Sequence, residues 1–496
     1  MRVKVFGSVI VLTLFAIIWL LPKVSAQRSP EHHHRYKLID MGTFGGPHGQ
    51  VNSFSIVINK HGVVAGGAST SDPDPDCTFD FPFCFYFHSF RWRNGKLTDL
   101  GTLPGGNNSF THGINDFGEI SGISENGVID QLTGAVETKA VLWKHNIGLD
   151  LGTLGGNQSF GTALNNHHQV IGWALNGIPS DNSVWGPLGT QQRAFLWQNG
   201  LMEDIGDLGG TSSASYVIND HGQISGVSFV DTNPDPSTGT FAIHPFFYEN
   251  GVMADMGTLG GTFAEPFGMN DLGDIAGHSL LKGDKIVRAF LWSDGKMHDL
   301  GTLGGDFSTA YSVNDRREAV GWAFTENNAT FRAVRWNNGK VLDLGTPNGA
   351  PCAAAFSINA KGQIVGSGQT CELDLLHAFL WDRGHMTDLN VFVPPELDVT
   401  LFEATFIAEG GEITVAGSFP NGDVHTFLLV PCEEHKKGCV GDTGKVANAR
   451  NKESAMPKSM SAFDGFQVGG KVVPGSPMLR LRRLFRTRTF SSSSPK

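Results

Sequence analysis

The sequence predicts an all-β fold built of many short strands, and three observations lead there. Glycine supplies 64 of 496 residues, well above the usual share of about 7%, while charged residues fall to 17% against a usual ~25%. That balance excludes coiled coils, helical arrays and charged disordered chains. An Asp-headed motif recurs eight times along the chain, with glycine in all copies but the last (DLNVFVP), and the apolar runs between copies are strand-length and separated in most copies by Asn-Gly or Asp-Gly turns.

The heads of the repeat are Asp40, Asp99, Asp150, Asp204, Asp255, Asp299, Asp343 and Asp388, opening segments such as DMGTFGG, DLGTLGG and DLGTPNG. The spacings are 59, 51, 54, 51, 44, 44 and 45 residues, so the core unit is about 44 residues long. The longer copies carry inserts at about residues 69–84, 124–138, 175–192 and 229–243. Such inserts map to loops, often on one face of a repeat protein.

A second block ends in Ile-Asn followed by a tight turn, as in Ile218-Asn219-Asp220-His221-Gly222, because Asn, Asp and Gly tolerate positive φ and bond their own backbone. His168 and Arg317 replace the turn glycine in two copies, and Ala408 replaces the asparagine in the eighth, which puts the regularity of those three turns in question. The third block, His377-Ala378-Phe379-Leu380-Trp381, recurs at residues 88–92, 139–143, 193–197, 244–248, 288–292, 332–336 and 425–429. Turns such as Asn199-Gly200 and Asp294-Gly295 follow it, so each unit holds four short strands. These strands are apolar on successive residues, as in Ala289-Phe290-Leu291-Trp292, which is how a sheet buried on both faces reads. Four positions before the repeated Asn every copy has a small residue or Pro (Ser55, Thr111, Gly161, Ser215, Pro266, Ala310, Ala355, Ala404), a requirement of close packing.

Four strands in about 44 residues make a β-propeller blade, whose sheet is sandwiched between two others. An open solenoid would bury its faces equally well, and the ends of the chain separate the two. Residues 36–40 are a lone fourth strand, whereas the last unit, residues 404–429, has three strands and no fourth. Joining them closes eight blades and leaves no open edge; a solenoid would need polar capping repeats, which are not seen. Seven blades with an irregular eighth unit is the alternative count.

These residues resemble the HAF family of extracellular repeats, named for the triplet found here at His377-Ala378-Phe379. The similarity covers about residues 36–430 through its HAFLW, DLGTLGG and IN-x-x-G-x-I-V-G patterns. It implies secretion and a propeller-like domain, and it carries no catalytic residues to transfer.

Residues 1–26 read as a secretory signal: Arg2 and Lys4, an apolar run, then Pro22 and a Val24-Ser25-Ala26 cleavage site. An uncleaved anchor is the rival reading, since residues 6–21 approach the lower limit for a span. Residues 27–35 form a leader, residues 36–432 the propeller, and residues 433–496 a basic, largely disordered tail. The body carries 21 basic and 43 acidic residues, the tail thirteen and five. An acidic body argues against nucleic-acid binding. The basic, apolar run at residues 479–488 fits peripheral association with an anionic surface, or folding back onto the acidic body.

The six cysteines fall into local pairs, Cys77 with Cys84, Cys352 with Cys371 and Cys432 with Cys439, expected as disulfides in an exported chain. Zinc is the alternative, without any Cys-x-x-Cys spacing to support it. Two further features invite metals. Histidines 32, 33 and 34 form a run suited to a transition metal, and the Asp72-Pro73-Asp74-Pro75-Asp76 segment gathers carboxylates for Ca²⁺ but lacks an EF-type Gly and Glu. The expectation is no cofactor. His112 and the pair His167-His168 are candidates to line a channel.

No G-x-S-x-G elbow, HExxH motif or P-loop is present. The repeated Asp residues are poor candidates for a glycosidase pair, which needs two unlike environments. The first expectation is therefore a secreted, monomeric, non-enzymatic binding or scaffold propeller that recognises a cell-surface protein or polysaccharide. The alternative is a carbohydrate-active propeller enzyme, a glycosidase or lyase with its site in the central channel.

Overall fold

The computed structural model describes residues 34–52, 55–77, 83–132, 134–180, 182–184, 188–234, 241–433 and 437–441. The signal, the cleavage site, His32 and His33, and the tail beyond Gly441 lie outside these residues. Backbone pairing groups the described strands into antiparallel four-stranded units of one pattern. In the fifth, Gly260–Met269 pairs with Ile275–Leu281, that strand with Val287–Ser293, and that with Lys296–Asp299. The eighth unit comprises Thr400–Ile407, Ile413–Ser418 and Val424–Pro431, and its fourth strand is Arg35–Asp40 from the other end of the chain. The register runs from Tyr36 opposite Pro431 to Asp40 opposite Phe427, the pairing expected of the lone first strand. The fold is all-β and β-propeller-like.

Three sequence features set the geometry of each unit. The turn between first and second strands is built by the repeated Asn, whose Oδ1 accepts the N–H groups two and four residues on; Asn219 takes those of His221 and Gln223. His168 and Arg317 adopt φ of 62° and 58° in place of the turn glycine, so both turns keep their form.

The second feature is the glycine on the second strand, which pairs with the small residue of the first, as Gly172 does with Gly161 and Gly321 with Ala310. A Cβ at Gly172 would stand 1.8 Å from the Phe160 carbonyl oxygen, and at Gly321 1.9 Å from that of Thr309. The Phe of the HAF triplet pairs with this glycine from the third strand, Phe290 opposite Gly277 and Phe379 opposite Gly366. Both rings are fully buried.

The third feature is the head Asp, whose Oδ1 accepts the N–H of the residue two on and so bends the chain towards the next unit; Asp255 takes that of Gly257 at 2.7 Å. Where the triplet begins with His, its Nδ1 meets the same carboxylate, in the pairs His88–Asp99, His244–Asp255, His377–Asp388 and His425–Asp40 at 2.9–3.1 Å. The His-Ala-Phe triplet and the repeated Asp are thus one structural device on adjacent strands.

All three expected disulfides are formed. Cys352–Cys371 ties the first strand of unit seven to the residues just past its second strand, Ile364–Gln369.

Candidate functional site

Every unit contributes to one central cavity of about 140 Å³, lined by residues one to four positions before each repeated Asn or Ala408, which lie on the first strand in units two to eight and beyond it in unit one. Repeat symmetry is broken in its wall: where unit one has Ile56, units four to seven place Tyr216, Phe267, Tyr311 and Phe356. Below this level the asparagines form a chain from unit to unit. The Nδ2 of Asn59 donates to the carbonyl of Asn115, and the series continues through Asn165, Asn219, Asn270, Asn314 and Asn359 to the carbonyl of Ala408. The eighth position needs only to accept, which explains why alanine stands there.

A second set of contacts follows at the next residue, where Asp116, Asp220, Asp315 and Glu409 accept the backbone N–H of the preceding unit at 2.9–3.1 Å. With Asp271 they form an acidic rim on the Asn-turn face, relieved at Asp116 by Lys60 at 3.0 Å. Burial, then Asp315 and Asp220, raise Asp271 above its ordinary range. The two residues that replace turn glycines reach backward as well: His168 Nδ1 meets Glu119 at 2.6 Å and Arg317 Nε meets Asp274 at 3.0 Å. His168 is therefore a link between units, and His112 is half-buried between the rings of Phe110 and Phe160, its pKa pushed down by burial to about 3.

One polar pair beside the cavity, a carboxyl on the first strand facing an imidazole on the second, has no counterpart in the other described units. Glu265 on the first strand of unit five lies opposite His278 on the second, Oε2 to Nε2 3.9 Å. His278 Nδ1 is 3.1 Å from Thr309 Oγ1, and the Tyr311 hydroxyl accepts from Trp322 Nε1 at 3.1 Å. Burial pushes Glu265 up to about 8 and His278 down to about 3, so both are uncharged near neutrality. Burial, then the Glu265 carboxyl, raises Tyr216; Tyr311 is pushed up to about 12.

No sequence motif marks this group. The signal was a carboxylate five residues before Asn270, where units two, three, four and seven have Phe110, Phe160, Ala214 and Ala354. Glu403 occupies the same place in unit eight, pushed by burial to about 7. With Glu265 and His278 at 2% and 5% exposure and their facing atoms beyond hydrogen-bond distance at 3.9 Å, the pair is closed to substrate.

The protonated Glu265 has a consequence for stability. Its folded pKa exceeds its unfolded value, so wild-type stability falls as pH rises from about 4.5 towards 8. Glu265→Gln, which stays neutral, is expected to match wild type at pH 4 and to exceed it by a few kcal/mol at pH 8, at about 1.4 kcal/mol per pKa unit. Urea denaturation at both pH values measures this. No gain at pH 8 would mean that Glu265 is ionised and paired with His278.

The opposite face carries the inserts. All four leave between second and third strands, and they lean on the next unit. Asp74 in the first is buried, accepting from Asp76 N and Asn108 Nδ2, and the Cys77–Cys84 disulfide closes the same loop. That is a structural use of the Asp72–Asp76 segment. Among the described residues no group of three or more His, Cys, Asp or Glu side chains has metal-holding geometry, and His34 of the histidine run pairs with Asp382 at 3.2 Å. Asp130 in the second insert accepts from Asn157 Nδ2 and Gln158 Nε2, both at 3.0 Å. In the third, Val184 N donates to Ser212 Oγ at 3.0 Å, and Val184 and Leu188 join the core. Val128, Ile129, Leu132 and Ile178 on the second and third inserts stay exposed, at 47–61%.

No family model and no curated protein matches the chain. Among solved structures it is similar to an acylaminoacyl peptidase from Pyrococcus horikoshii, at 11% identity and a TM-score of 0.39, covering 76% of this chain and 59% of that one. It is also similar to dipeptidyl peptidase 4 of Porphyromonas gingivalis (8%, TM-score 0.41, 81% and 60%) and to TolB of Acinetobacter baumannii (15%, TM-score 0.29, 55% and 66%). The chain thus spans about three fifths of the two peptidases.

Proposed function

We propose that the chain is a secreted eight-bladed propeller, closed by Arg35–Asp40 on unit eight, that binds a cell-surface protein or polymer through the inserts of units one to four. The observation that supports this reading most is the construction of the insert face. Asp74 and Asp130 hold the first two inserts against the following units and a disulfide closes the first, yet four large apolar side chains on two adjacent inserts remain in water. Phe117, Ile147 and Val252 are as exposed singly elsewhere, but apolar groups gathered on neighbouring loops are the kind that mark interaction surfaces. Three disulfides with no free cysteine among the described residues fit an oxidising compartment. The channel-enzyme reading finds less support, since the asymmetric Glu265–His278 pair beside the cavity is sealed from solvent.

The triple variant Ile129→Ser, Leu132→Ser, Ile178→Ser tests the reading. Stability should change by less than about 0.5 kcal/mol at each exposed site, while binding of labelled protein to intact cells of its source should weaken at least tenfold. Protease or glycosidase treatment of the cells then separates a protein from a polymer. Unchanged binding would move the site away from the inserts.

A further inference from the structure

We propose that the central cavity is a docking site for the chain's own basic C-terminal segment, residues 479–488, which enters from the Asn-turn face. Three observations converge on this occupant. First, the described chain ends on that face: Val440–Gly441 pairs with Arg35 and Tyr36, and the Tyr36 hydroxyl donates to the carbonyl of Gly411 at 3.3 Å, in the turn that also carries Glu409.

Second, charge and shape are complementary. Asp116, Asp220, Asp271, Asp315 and Glu409 outnumber Lys60, Arg316 and Lys361 on the Asn turns, which directly follow the residues of a cavity walled by Tyr216, Phe267, Tyr311 and Phe356. Residues 479–488 read Leu-Arg-Leu-Arg-Arg-Leu-Phe-Arg-Thr-Arg, five arginines and no acid, with Phe485 among them. A cavity of about 150 Å³ accepts a benzene ring, so one of about 140 Å³ has room for a single phenyl side chain. Arginines flanking that ring would meet the carboxylates at the rim and the aromatic faces within.

Third, the tether suffices. The 37 residues between Gly441 and Leu479 would span roughly 35 Å as a flexible coil, which places the segment at an effective concentration on the order of millimolar. A weak contact is then largely occupied.

The test is limited trypsin digestion of the full secreted chain, followed by mass spectrometry. At low ionic strength, cleavage after Arg480, Arg482, Arg483, Arg486 and Arg488 should run at least tenfold slower than after Lys445 and Lys452 in the same tail. Protection should vanish in 0.5 M NaCl and in the variant Asp220→Asn, Asp271→Asn, Asp315→Asn. A second variant, Leu479→Ser, Leu481→Ser, Leu484→Ser, Phe485→Ser, leaves the folded body untouched and should cleave as fast as the linker sites. Equal rates in wild type would overturn the proposal, as would protection that survives the rim substitutions. Protection that arises only on adding anionic phospholipid vesicles would assign the segment to a membrane surface and overturn it too.

Discussion

Asn219→Ala is expected to lower folding stability by about 3–5 kcal/mol. The side chain is 6% exposed and makes four hydrogen bonds: it accepts from the N–H groups of His221 and Gln223 and donates to Gln223 Oε1 at 2.7 Å and the Asn270 carbonyl at 3.2 Å. Each bond contributes on the order of 1 kcal/mol, and a buried partner left unpaired costs about 1–3 kcal/mol. The donation to Asn270 is the link from unit four to unit five, so its loss weakens an interface as well as a turn. Urea denaturation measures the effect, and a change below 1 kcal/mol would mean that water replaces the lost partners. The alanine at position 408 is no precedent for tolerance, because it sits at the accepting end of the chain, where its carbonyl alone is used.

Gly172→Ala should be at least as damaging, at more than about 4 kcal/mol. The new methyl would lie 1.8 Å from the Phe160 carbonyl oxygen and 3.0 Å from the ring of Phe195. Both neighbours are fixed: Phe160 is paired with Trp173 on the second strand and stacks on its ring at 5.5 Å, and Phe195 is fully buried. Overpacking a tight core usually costs 1–3 kcal/mol, and backbone contact puts this case beyond that range. The variant should be recovered largely unfolded or aggregated. A control at Gly200, which has φ of 86° in an exposed turn and no atom within 4 Å, isolates backbone strain from the clash. Gly200→Ala is expected to cost only about 1 kcal/mol.

These two effects fall on residues of the repeat, whereas the functional proposals fall on residues that depart from it. The Glu265–His278 pair, the apolar insert tips and the basic segment at residues 479–488 are each present once. A residue repeated in every unit answers a need of every unit, such as a turn, a close approach or a link. The His–Asp pairs show this for the most catalytic-looking residues of the sequence, since each joins a third strand to a fourth at the edge of a unit.

The sequence by itself determined the four-stranded unit, the copy number of its motif, the partner of the lone first strand and the cysteine pairs. Each of these rests on local chemistry: turn residues that accept positive φ, strand-length apolar runs, and small residues at constant spacing. Only the tertiary structure decided what stands beside what around the centre. The chain of asparagines runs between residues 44 to 56 apart in sequence, and the replacement of turn glycines by His168 and Arg317 acquires sense only when Glu119 and Asp274 of the preceding units are found within reach. Burial decided the state of Glu265 and His278 in the same way. A carboxyl and an imidazole that would be ionised or half-ionised in water are held neutral by an apolar surround supplied by other strands, and no local pattern encodes that surround.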